Sequence, residues 1–254
     1  MKKMITILAV AMLLWGASAS ADTLDFLKPF WMQMMDGVSN TASGKIPENV
    51  TVTCTDERLT VEACGVLLEN DYSAEAHVYA VLKNTGSERL PIRSVQMTVL
   101  GANGNTLHQE NYVSYMPSVV EPGETMLVSE WMYDFVKEIG KVHSIQISVE
   151  TASRVNEKWK QLGDVRAWLD GDYLCVEFTN TTEKTLFGVI CAATVSDANG
   201  QILDMMMQSP YDTDDLGIAQ GSSIVWRKRL EDAATLKIGT DAVCKAWAYR
   251  MEDL

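Results

Sequence analysis

Apolar and polar residues alternate over short stretches of this chain, and the stretches are separated by Asn, Gly, Pro and Asp. Residues 77–83 put Val78, Ala80 and Leu82 on one face, and residues 173–179 do the same with Leu174, Val176 and Phe178. A period of two is the mark of a half-buried strand. Both runs stop at Asn-Thr, Asn84-Thr85 and Asn180-Thr181, followed by polar residues, which signals a turn. The next strands, 92–100 and 189–196, each end at Ala-Asn-Gly. Asn-Gly between apolar runs favours a two-residue hairpin, because both central residues of a type I′ turn need positive φ. Further strands are predicted over 106–113, 125–132 and 142–149, with a polar turn at Glu121-Pro122-Gly123-Glu124. No strong helical period interrupts them.

The two sets of strands are copies. Sliding the chain by 96 residues lays 77–108 on 173–204 without a gap. It matches Asn84 with Asn180, Thr85 with Thr181, Leu90 with Leu186, Thr98 with Thr194, Val99 with Val195, Ala102 with Ala198, Asn103 with Asn199, Gly104 with Gly200 and Leu107 with Leu203. That is nine identities in 32 positions, against roughly two expected from average residue usage. After a two-residue insertion the likeness continues, with Gly123-Glu124-Thr125 on Gly221-Ser222-Ser223. Such a period suits tandem domains better than a solenoid. The expected fold is all-β: two tandem antiparallel sandwiches of immunoglobulin-like outline, over 58–151 and 163–254, joined by a linker at 152–162. That linker is expected to be a short helix or an extended spacer.

The order strand, Asn-Thr turn, strand, Ala-Asn-Gly hairpin, strand, Pro-Gly-Glu turn, strand resembles the FxLYD-type Ig-like domains of bacterial exported proteins. The family's signature positions fall on Met97, Val99, Leu100 and Gly101 in the first copy, and on Ala193, Val195, Ser196 and Asp197 in the second, where the Asp is kept. The resemblance implies a module of cell-envelope or secreted proteins with no catalytic residues to carry over.

The first residues add a compartment. Lys2 and Lys3 precede an apolar run over 4–15, then small residues up to Ala21. This is the order of a secretory signal peptide, with cleavage expected after Ala21. The apolar run falls short of the ~20 residues that cross a bilayer. No stable membrane insertion is expected once the leader is cut, and the location is secreted or periplasmic. Losing Lys2 and Lys3 with the leader takes the formal charge from −13 to −15, which argues against nucleic acid as a partner. Between the leader and the first copy, segment 22–57 holds Leu24, Phe26, Leu27, Phe30, Trp31, Met34 and Met35, spaced compatibly with a short helix apart from Pro29. It reads either as a cap packed on the first sandwich or, through Phe26, Phe30, Trp31 and Met34, as a docking helix for a protein or envelope partner. Residues 50–54 read as a strand.

Chemistry is sparse. There is no Gly-x-Ser-x-Gly, no Ser-x-x-Lys, no His-Glu-x-x-His and no phosphate loop, while His77, His108 and His143 are scattered through one copy. A hydrolase built from scattered carboxylates has no motif behind it. Asp197 and Asn199 beside the second Ala-Asn-Gly turn, with Asp204 near them, or Asp212, Asp214 and Asp215 in the acidic loop, offer oxygen ligands for calcium. EF-hand spacing counted from Asp197 closes on Gln208 rather than a carboxylate, so the calcium reading competes with a solvated turn. The five cysteines allow two bridges at most. Cys175 faces away from Leu174 and Val176, whereas Cys191 shares a face with Ala193 and Val195, so Cys191 with Cys244 is the better candidate pair. Cys54 and Cys64 could close a small loop, and burial of most of the five as small hydrophobes is equally expected. The functional expectation is an exported, non-enzymatic binding or structural module of the bacterial envelope. Its rival is an envelope assembly or chaperone-like subunit that offers an exposed sheet edge to a partner strand.

Overall fold

The computed structural model describes residues 49–69, 75–133, 139–153, 158–208, 217–230 and 238–252. Residues 1–21, expected to be a leader, the docking candidates Phe26, Phe30, Trp31 and Met34, and the acidic-loop residues Asp212, Asp214 and Asp215 lie outside the described residues. The first copy contributes β1 (Thr51–Cys54), β2 (Leu59–Glu69), β3 (Glu75–Asn84), β4 (Leu90–Gly101), β5 (Thr106–Glu110), β6 (Ser114–Met116), β7 (Val119–Val120), β8 (Thr125–Met132) and β9 (Val142–Thr151). The second contributes β10 (Lys158–Leu162), β11 (Val165–Asp170), β12 (Tyr173–Thr179), β13 (Val189–Ser196), β14 (Ile202–Met207), β15 (Ser223–Arg229) and β16 (Val243–Glu252). The protein is all-β, with several antiparallel sheets and no closed barrel. Among the described residues the one helical piece is a three-residue 3-10 turn, Ile139–Lys141.

Four sheets result, with strand orders β1-β9-β4-β5, β2-β3-β8-β6, β10-β16-β13-β14 and β11-β12-β15. The first two face each other across one core and the last two across another. The matched residues sit in matched geometry. The Asn84 side-chain amide donates to the carbonyls of Glu88 and Val120 at 2.8 and 3.0 Å, and its Oδ1 accepts from the Gly86 N–H. Asn180 donates to Lys184 and Ile218 at 2.8 and 2.7 Å and accepts from the Thr182 N–H. Both asparagines are fully buried, so each satisfies backbone groups that the core would otherwise strand at a cost of about 1–3 kcal/mol apiece. Gly104 and Gly200 follow the Ala-Asn pairs at φ 77° and 82°, and Gly123 and Gly221 close the second shared turn at 82° and 72°. The isolated bridge Leu186–Ile218 stands where Leu90 pairs with Val120 in the first copy.

Two segments depart from the sequence reading. Residues 152–162 are not merely a spacer, because β10 runs antiparallel to β16 and belongs to the second sandwich. Segment 22–57 supplies β1, which belongs to the first sandwich. β1 runs parallel to β9, pairing Thr51 with Ser144 and Cys54 with Ile147. Both strands thus fill the same slot, beside the last strand of their copy, and they fill it in opposite directions.

The larger departure is that the two sandwiches share a core. On β3, Val78, Ala80 and Leu82 belong to the first core, while Tyr79 and Val81 on the other face belong to a cluster with Ile190, Ala192, Ile202 and Tyr249 of the second copy. Leu67, Met116 and Leu127 join that cluster too. The sheets therefore stack four deep, and the middle two are buried on both faces. β13 is buried at every position, whereas β15 at the outside alternates exposed and half-buried. Each large apolar side chain enclosed between the copies stabilises their union by roughly 1.5–3 kcal/mol.

Candidate functional site

Where the middle sheets meet, their contact is uneven. At one end the backbones touch: a Cβ built on Gly65 of β2 would lie 1.7 Å from the Ile202 carbonyl oxygen of β14. Only a residue without a side chain permits that approach. Beside it the Tyr79 hydroxyl donates to Asp204 Oδ1 at 3.3 Å, and the same oxygen accepts from Lys228 Nζ and from the Met205 N–H, both at 2.6 Å. Asp204 is completely buried, so these donors replace the water it has lost. At the other side of the contact the Tyr249 hydroxyl donates to the Thr125 carbonyl at 3.1 Å. Burial holds that phenol well above its ordinary range, against the lowering effect of the Thr125 hydroxyl. The Trp159 indole N–H donates to Ser118 Oγ at 2.7 Å. Next to Thr125, burial raises the Glu124 carboxyl, partly offset by backbone N–H donors that include Gln161 of β10.

Between these anchors the sheets diverge and leave a cleft of about 280 Å³. The first copy lines it with Glu62, Ala63 and Val81, and the second with Thr194, Ser196, Val243, Lys245 and Trp247, together with Asp197, Ala198 and Gly200 of the hairpin turn. A β-bulge explains the presence of Glu62. On β2, Val61 pairs with Leu82 and Ala63 with Val81, leaving Glu62 as the extra residue, and a bulge of this kind re-aims a side chain. A second bulge, between Val195 and Ser196 of β13, leaves Leu203 as the extra residue of β14. On the facing sheet Lys245 stands opposite Thr194, Val243 opposite Ser196 and Trp247 opposite Ala192.

The charges around the cleft are unequally occupied. Glu62 Oε1 is 3.2 Å from Lys83 Nζ. Asp197 Oδ1 accepts from the N–H groups of Asn199 and Gln201, both at 2.9 Å. Lys245 is exposed and enters no ion pair or hydrogen bond among the described residues. The arrangement offers an available cation, two hydroxyls, an indole and small apolar groups.

Of the residues singled out from sequence, Asp197 accepts from the N–H groups of Asn199 and Gln201 within its own hairpin turn. Among the described residues no group of three His, Cys, Asp or Glu side chains is assembled, and Asp204 is committed to Lys228 and Tyr79. The Cys191–Cys244 bridge is corrected by the register. Cys191 lies opposite Ala248 and Cys244 opposite Val195. The two are four ladder positions apart, about 13 Å at a strand's rise and far beyond the ~7 Å Cα limit of a disulfide. All five cysteines are free thiols, and burial pushes up those of Cys191 and Cys244, with Cys175 adding to the shift of the latter. The residues that line the cleft and lock the joint, Glu62, Gly65, Asp204, Lys245 and Trp247, were not anticipated as a group. The available signal was the apolar content of both faces in 76–82 and 189–195, which marks strands covered twice.

Elsewhere His77, Trp131 and Tyr133 form a ring stack, with centroids 4.2 and 4.8 Å apart, and the Trp131 indole donates to Glu75 at 3.0 Å. No protein-family model and no curated protein sequence matches the chain. Among solved structures it is similar to a crystal structure of red sea bream transglutaminase, at 13% identity over 78% of this chain and with a TM-score of 0.22. The chain spans 29% of that protein. A likeness at this level carries no argument about fold or activity.

Proposed function

We propose that the protein is an exported, non-enzymatic binding module of the bacterial cell envelope, made of two tandem Ig-like sandwiches that resemble the FxLYD-type domains, its leader cleaved after Ala21. The observation that supports this reading is the cleft, which neither sandwich could line alone and which the buried joint keeps in shape. Its residues bind rather than react. Fractionation of the producing cell tests the reading: the chain, shortened by its leader, is expected in the periplasm or medium, and full-length chain in the cytosol would overturn it.

A second reading, the envelope assembly or chaperone-like subunit, is favoured by one feature. Among the described residues β15 pairs only with β12, so one of its edges is a template for a partner strand. Capture from envelope extracts separates the two, since a chaperone recovers many unfolded clients and a binding module a single ligand.

A further inference from the structure

We infer that the cleft between the sandwiches takes a small monocarboxylate with an apolar body, its carboxylate held by Lys245. The inference rests on the binding-module reading and adds the chemical class of the ligand. In a chain of net charge −13, a cation that has no partner among the described residues and lines a cleft is the feature to explain. Glu62 is committed to Lys83, and Asp197 to the N–H groups of its own turn, so Lys245 remains the group able to take an incoming charge.

The other walls define the rest of the ligand. Thr194 and Ser196 bring hydroxyls, which complete the hydrogen bonding of a carboxylate or an adjacent polar group. Val81, Ala63, Val243 and Trp247 bring apolar surface, against which a hydrocarbon body or an aromatic ring sheds water. Glu62 and Asp197 on the rim set the charge limit. One negative charge is accommodated beside Lys245, while a second would meet two carboxylates, so dicarboxylates and phosphates are disfavoured. A cleft of about 280 Å³ fits a ring with a short acidic chain, or the last residue of a peptide with its terminal carboxylate. The shared chemistry is an apolar group a few bonds from a single carboxylate.

The test is calorimetric titration of the intact purified chain with 3-phenylpropionate, its amide, phenylsuccinate, and the tripeptide Ala-Ala-Phe as free acid and as amide. The acid is expected to bind, with the amide and the dicarboxylate weaker by about fivefold or more. Lys245→Met, an exposed substitution that leaves the core untouched, is expected to erase the preference for acid over amide while the melting temperature holds. Tighter binding by the tripeptide acid than by phenylpropionate assigns the site to peptide ends, and the reverse order assigns it to free acids. Equal affinity for acid and amide, an unchanged preference in Lys245→Met, or no heat at ligand concentrations of about 10 mM would overturn the inference. Such failure, with normal export and single-ligand capture, leaves the binding-module reading standing; cytosolic location with intact titration sinks that reading alone.

Discussion

The middle sheets and the outer sheets are made from the same repeated unit yet hold together by different physics. On the outside of the β11-β12-β15 sheet, Arg166 pairs with Glu177 and lies over Trp168, and Arg227 pairs with Asp170 and lies over Tyr173. Arg227 and Asp170 are both exposed, so their pair adds about 0–1 kcal/mol, whereas the Glu177 carboxylate is mostly covered. On the inside, Tyr79 and Val81 from one copy meet Ile190, Ala192 and Tyr249 from the other, and every polar group that enters must bring its partner. Asp204 does so with three donors, and Tyr249 does so with Thr125. A charge at the solvent face is therefore replaceable, and the same charge in the joint is not.

Substitution can break that contrast. Asp204→Ala removes the acceptor shared by Tyr79, Lys228 and the Met205 N–H and should destabilise the fold by about 3 kcal/mol, read from urea unfolding. Gly65→Ala places a methyl group against the Ile202 carbonyl, forcing the sandwiches apart at about 1–3 kcal/mol. Its unfolding should lose cooperativity, with the second copy melting separately, and small-angle scattering should report a larger radius. A single unchanged transition would show that the copies are not coupled through this contact.

A pH titration sharpens the contrast. The Glu124 carboxyl is raised in the fold by burial, so the folded state holds the proton better than the unfolded state. The contribution of Glu124 to stability is then fully present below the unfolded carboxyl value, about 4.3, and is lost as pH rises through the higher folded value. Glu130 is shifted in the same direction, so the slope is expected to shrink in Glu124→Gln without vanishing. An identical slope in the variant would remove Glu124 from the joint. The smallest effect is expected at the solvent face, where Asp170→Ala, which removes the exposed partner of Arg227, should change stability by less than about 1 kcal/mol in the same urea assay.

Much of the fold is legible in the residues, for reasons that are local. Asn84 and Asn180 mark a turn because their side chains bond backbone carbonyls four residues on, and Gly104 and Gly200 mark the hairpin because their backbone is left-handed. Both effects act within a few residues of chain. The joint has no such signature. Gly65 reads as a weak point in a strand until Ile202, more than a hundred residues later, is seen beside it. Glu62 reads as an ordinary exposed carboxylate, since a bulge is set by the register of β2 on β3. The Cys191–Cys244 pair failed for the same reason: shared face is readable from alternation, but offset along the ladder is not. Lys245 could be told from other lysines only by what surrounds it.

The strand that fills the slot beside β9 or β16 also sets the order in which the protein can be completed. β1 leaves the ribosome first in its sandwich and must wait for β9, Thr51 finding Ser144; β10 must wait for β16, Trp159 finding Met251. The earliest strand is thus closed by the latest, the longest-range pairing each unit can make and the slowest to form. Since N-terminal units fold first, the first sandwich can seal before the second has emerged. Its Tyr79 and Val81 face then stays uncovered until β13 and β16 arrive, a sticky surface timed to receive its own downstream copy.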